Sequence, residues 1–137
     1  MATHASRDTT TGLLFEEKVH MEKVGEDISK HALYRFLASR DIKWDNYISK
    51  KLLPDEAYYD EANNKVVIYE KKFQQTSGSA DEKLGNCAWK IHEYKECFAA
   101  AGINKVSYTY IFCDWFKQSR YEKLLKYIRS VDNCDYM

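Results

Sequence analysis

From Thr11 onward, apolar residues recur at mostly helical intervals: Leu13, Leu14, Val19 and Met21, then Ile28, Ala32, Leu33, Phe36 and Leu37, with Gly25 between the two groups. This spacing predicts two helices or one broken helix. Residues 46–52 carry Tyr47, Ile48 and Leu52 in a pattern that suits a short strand, and Ala57-Tyr58-Tyr59-Asp60 suits a second. Asn63-Asn64 then supplies turn chemistry ahead of Lys65-Val66-Val67-Ile68-Tyr69-Glu70-Lys71-Lys72-Phe73. That stretch is the most strand-like in the chain, because β-branched and aromatic side chains suit a half-buried pleated surface. Together the last two segments predict a hairpin.

Ser79-Ala80-Asp81-Glu82 has the Ser-x-x-Glu form of a capping box, and Leu84, Cys87, Ala88, Ile91, Tyr94, Phe98 and Ala101 follow at steps of three and four. A helix is expected there, ended by Gly102. Val106 to Cys113 alternates like a strand, and Leu124, Leu125 and Ile128 restore helical spacing from Tyr121 to Val131. The expected fold class is α/β, in the order α-β-β-β-α-β with a C-terminal helix: a mixed β-sheet flanked by helices. Residues 1–10 read as a flexible polar N-terminus, and 11–137 as a single domain.

Composition narrows the function classes. No apolar run approaches the roughly 18 residues of a membrane span, and nothing near Met1 looks like an export signal. A cytoplasmic protein with no membrane partner is expected. Cys87, Cys97, Cys113 and Cys134 are widely separated, which suggests buried thiols and neither a zinc knuckle nor a disulfide framework. His92 and Cys97 lack two further ligands at suitable spacing for zinc. Lys plus Arg number 21 and Asp plus Glu also 21, a zero net charge that does not advertise a nucleic-acid binder. A nuclease that uses a cation needs acids as well as bases, so balance is compatible with that chemistry when the charges are segregated.

The hairpin carries candidate chemistry. Phosphodiester hydrolysis by Mg²⁺ calls for carboxylates close together and a cation in the same cleft. Strand alternation gives Glu70 and Lys72 one face with Val66 and Ile68, and gives Lys71 the other. Pro54-Asp55 precedes the first hairpin strand, so closure of the hairpin would bring Asp55 beside Glu70. Charges on a partly buried apolar face are costly, and a metal or substrate would account for them.

Pro54-Asp55, fourteen intervening residues and Glu70-Lys71-Lys72 resemble the motif of the PD-(D/E)XK nuclease superfamily, whose core has the restriction-endonuclease-like fold. Gly12-Leu13-Leu14-Phe15-Glu16-Glu17-Lys18-Val19 resembles the first-helix pattern of that superfamily. Phe73 to Leu84 resembles the segment after the catalytic strand of some restriction enzymes. The resemblance spans about Thr11 to Cys113. It implies that Asp55 and Glu70 bind Mg²⁺, with Mn²⁺ as a possible substitute, that the Lys71 backbone carbonyl is a further ligand, and that Lys72 acts on the attacking water. Glu16 would reach the metal site, and Gln74 would hold the water or a phosphate oxygen.

The helix start at Ser79, with Lys83 one turn in, offers a docking point for a DNA phosphate, although a plain capping box accounts for Ser79 equally well. The implied activity is that of a type II restriction endonuclease cutting double-stranded DNA as a homodimer. A junction-resolving or repair nuclease of the same superfamily, and a non-catalytic DNA-binding module, are the competing readings.

Overall fold

The computed structural model describes residues 25–72, 86–112 and 119–136. Its elements are β1 (Glu26–Asp27), α1 (Ala32–Ser39), a 3-10 turn (Trp44–Asn46), β2 (Glu56–Asp60), β3 (Lys65–Lys72), α2 (Cys87–Ala100) and β4 (Lys105–Phe112). A second 3-10 turn (Ser119–Tyr121), α3 (Glu122–Ser130) and β5 (Cys134–Tyr136) complete the order. The five strands form one mixed sheet in sequence order. β1, β2 and β3 run antiparallel; β4 lies parallel to β3 and β5 parallel to β4. This is the expected α/β class. No helix among the described residues is long and apolar enough to cross a membrane.

The hairpin forms where its sequence predicts. Asp60 accepts hydrogen bonds from the Asn63 backbone N–H (3.3 Å) and side-chain amide (2.7 Å), and Asn64 takes a left-handed φ of 48°. Asn and Asp are the residues that tolerate such a turn. The β3–β4 crossover runs through α2, which ends as Gly102 predicts. Gly102 has φ +79°, its N–H bonds to the Ala99 carbonyl (2.9 Å) and the Ile103 N–H reaches back to Phe98 (2.9 Å), the paired bonds of a Schellman stop.

α1 and α2 cover one sheet face. Phe36 of α1 meets Tyr59 of β2 (5.1 Å between ring centroids) and Phe98 of α2 (6.3 Å), and Tyr94 meets Tyr108 of β4 (5.8 Å). Phe98 is fully buried at this junction. Phe98→Ala is therefore expected to cost about 3–5 kcal/mol of folding stability, read from denaturant unfolding. α3 folds back on β5, where the Arg129 guanidinium bonds Asp135 (2.9 Å) and stacks over Tyr136 (3.9 Å).

Three expectations are corrected. Residues 46–52 form no strand: Trp44–Asn46 is a 3-10 turn followed by a loop, because both edges of β2 are taken by β1 and β3. Only Ile48 of that stretch is buried, while the Tyr34 hydroxyl ties the Leu52 carbonyl at 2.6 Å. The third antiparallel strand is instead β1, in a segment read as helical or as a helix break. Gly25 beside it has φ +94°, and a Cβ there would lie 1.9 Å from the Tyr59 carbonyl oxygen, so only glycine permits the approach. Ile28 is in extended pairing, its N–H bonding the Ala57 carbonyl at 2.8 Å, so α1 starts only at Ala32. Finally, β5 gives the sheet a strand that no local pattern announced.

Cys87, Cys97 and Cys134 are buried and unbridged, and burial pushes the Cys97 and Cys134 thiols up to about 11 and about 12. Cys113 lies outside the described residues.

Candidate active site

Glu56 of β2 pairs with Tyr69 of β3, so extending the antiparallel register by one residue sets Asp55 opposite Glu70. Asp55 itself immediately precedes β2. The sheet geometry therefore brings together two carboxylates separated by fourteen intervening residues in sequence. Their proximity is also electrostatic, since Glu70 hydrogen-bonds with Asp55 and helps hold its pKa down.

Three groups orient Asp55. Its Oδ2 accepts the Lys71 backbone N–H at 2.8 Å, and its Oδ1 accepts the Lys30 ammonium at 2.7 Å. Burial by itself pushes the Asp55 carboxyl up, yet Lys30, the Lys71 N–H and Glu70 together outweigh it and hold the group below its ordinary 3.8. The Lys30 ammonium is raised correspondingly, first by the Asp55 bond and then, against partial desolvation, by the charges of Asp55 and Glu70. Lys30 thus serves both carboxylates.

Glu70 is 8% exposed, with Val66 and Ile68 on the same strand face fully buried behind it. Tyr110 of β4 stands across from it in the parallel register. Burial foremost, and the Glu70 charge in addition, push Tyr94, Tyr108 and Tyr110 above the ordinary phenol value. These phenols stay protonated at neutral pH. Lys71 belongs to the other face, as alternation predicts. Its ammonium pairs with Glu56 at 2.7 Å, and burial pushes its pKa down.

Of the residues singled out from sequence, Asp55, Glu70 and the Lys71 backbone converge. Lys72 ends β3 in register with Phe112, but its side chain lies outside what is described. Glu16, Gln74, Ser79 and Lys83 also lie outside the described residues; α2 is described from Cys87, with Asn86 at its N-cap position. No family model, curated protein or solved structure matches the chain.

Lys30 is the residue that sequence reasoning missed. It arrives because β1 pairing continues past its two formal residues: Ala57 N–H bonds Ser29 Oγ (3.0 Å), and Lys30 N–H bonds the Pro54 carbonyl (2.9 Å). Its own φ is +50°, a conformation uncommon for a side-chain-bearing residue. No local pattern in Ser29-Lys30-His31 signals this placement.

The donor set suits a hard cation. Two carboxylates facing each other match what Mg²⁺ takes from protein, the rest of its shell being water and phosphate oxygens. Among the described residues no third His, Cys, Asp or Glu completes a group around them. A cation entering here must compete with the Lys30 ammonium. Lys30→Ala is therefore expected to lower the Mg²⁺ concentration needed for half-maximal binding, measured by titration calorimetry. The same variant should begin acid unfolding at higher pH. A depressed carboxylate contributes stability above its unfolded value and loses it as pH falls through its folded value, and without Lys30 that folded value rises.

Proposed function

We propose that this chain is a Mg²⁺-dependent endodeoxyribonuclease with a restriction-endonuclease-like fold, hydrolysing phosphodiester bonds of double-stranded DNA as a sequence-specific homodimer. The observation that carries the proposal is Asp55 opposite Glu70 across the β2–β3 hairpin, held by the Lys71 N–H and served by Lys30. Three antiparallel strands, a crossover helix and a parallel fourth strand support the same reading, although α1 falls between β1 and β2, where the PD-(D/E)XK core order α-β-β-β-α-β has no helix.

Asp55 and Glu70 would hold the metal, with the Lys71 carbonyl as a further oxygen donor. When bound, Mg²⁺ supplies charge relief at the phosphate and lowers the cost of ionising a water. The chain's own groups do the rest. The Lys71 N–H fixes the Asp55 carboxylate so that it needs no reorganisation, and the buried wall behind Glu70 limits bulk water. Lys30, once released from Asp55, is a mobile cation at the site's edge, within reach of a substrate phosphate. Lys72, two positions beyond Glu70 on β3, orients the attacking water or stabilises charge developing on the phosphate.

The decisive test is digestion of a plasmid of known sequence by the full chain, with Mg²⁺, with Mn²⁺ and with EDTA. Discrete fragments in the presence of metal, absent with EDTA, are expected. Intact plasmid under every condition would overturn the proposal.

A further inference from the structure

A second cleft, of about 370 Å³, lies between the 3-10 turn at Trp44–Asn46, the loop after it and one face of α2. Its chemistry is unlike that of a phosphate site. Trp89, His92, Glu93 and Glu96 recur at helical spacing along α2 and form one wall; Asp45 and Tyr47 belong to the other. Trp89 is 61% exposed and stacks on His92 with ring centroids 5.4 Å apart, and Tyr47 is also exposed. His92 leans toward Glu96 at 3.8 Å.

Glu93 is the telling member. It is only 8% exposed, it lines the cleft, and among the described residues it has neither a hydrogen bond nor an ion pair. Tyr34, Tyr94 and Cys97 feel the Glu93 charge: burial foremost raises all three, Glu93 is the next cause for Cys97, and it is a lesser one for Tyr34 and, after Glu70, for Tyr94. The Glu93 carboxylate oxygens are not sealed from solvent, so they open on the cleft, where a cation could pair with a charge that little water reaches. A bare metal ion fits poorly, since no three ligating side chains among the described residues gather around one point. A nucleic-acid phosphate fits worse, because Asp45, Glu93 and Glu96 repel it.

The geometry points to a binding site for an organic cation of the alkylammonium or guanidinium class, its apolar surface against Trp89 and Tyr47 and its charge on Glu93. Aromatic faces attract such cations through the ring quadrupole, and the attraction strengthens when an acid shares the desolvated site. The cleft's volume is in the range of small-ligand pockets.

The test is a heteronuclear NMR titration of the full chain at constant ionic strength with N-methylguanidinium chloride, tetramethylammonium chloride and, as control, NaCl. Saturable shifts of the Trp89 indole N–H and of backbone amides along residues 89–96 are expected with both organic cations and not with Na⁺. Glu93→Gln should weaken binding by at least about tenfold. Trp89→Leu, at an exposed position that the fold does not need, should do the same as read from the backbone amides. Glu122→Gln, on α3 and not among the residues lining the cleft, should leave the titration unchanged. A capped arginine tripeptide distinguishes the source: tighter binding than N-methylguanidinium assigns the cleft to polypeptide side chains, and equal or weaker binding to free cations. Absence of saturable shifts in the wild-type chain, or undiminished binding in Trp89→Leu, would overturn the assignment.

Discussion

Glu70→Gln is expected to abolish Mg²⁺-dependent DNA cleavage, by about a hundredfold or more, while making the metal-free protein more stable. The two halves of that outcome have one cause. Glu70 is nearly buried and hydrogen-bonds with Asp55, so one of the two acids must carry the shared proton in a site that water reaches poorly. An isosteric amide can donate to Asp55 without a shared proton and carries no acid to desolvate, which should raise stability by about 1 kcal/mol and the thermal midpoint by roughly 4 °C in EDTA. The same change removes a negative ligand that a hard cation requires. Thermal melts with and without Mg²⁺ provide the check: the wild-type chain should gain stability from the metal, and the variant should not. Wild-type cleavage by Glu70→Gln would remove Glu70 from the site altogether.

Lys72→Ala is expected to bind double-stranded DNA with nearly wild-type affinity and to cleave it about 10²–10³ times more slowly. β3 continues unbroken from Glu70 through Lys72, and the strand period of two gives positions 70 and 72 the same face. An amine there acts on charge that develops during the reaction, so its removal should be felt in turnover more than in binding. An electrophoretic mobility assay in EDTA measures the binding, and single-turnover plasmid cleavage in Mg²⁺ measures the chemistry. A parallel loss of both would mean that Lys72 contacts DNA in the ground state instead. Normal turnover would refute the role.

The zero net charge bears on both experiments. With 21 basic and 21 acidic residues, the proposed DNA affinity would have to come from segregated charge and should be steeply salt-dependent only as far as the basic side is engaged. The acidic and aromatic cleft around Glu93 accounts for some of the counterbalancing acids.

Much of the fold was legible because its signals are local. The hairpin turn rests on Asp60, Asn63 and Asn64, which bond within four residues of one another. The end of α2 rests on Gly102, and the burial of Ile91, Tyr94 and Phe98 follows from their own spacing along one helix face. Alternation along β3 separated Glu70 from Lys71, and the Lys71–Glu56 pair lies on the other face. The strand expected at 46–52 failed for a non-local reason. Its apolar residues were adequate for pairing, but β2 had no edge left to offer.

By itself, then, the sequence determined the hairpin, the crossover helix and the identity of the carboxylate pair, because turn chemistry, helical period and strand alternation are written within a few residues. Only the tertiary structure decided which segment completes the sheet, that Lys30 becomes the counter-ion of Asp55, and that Glu93, without a partner among the described residues, lines one cleft with Trp89 and Tyr47. Each of these depends on pairing between segments 25 to 48 residues apart in the chain, where the energy lies in hydrogen bonds and desolvation that no local pattern records.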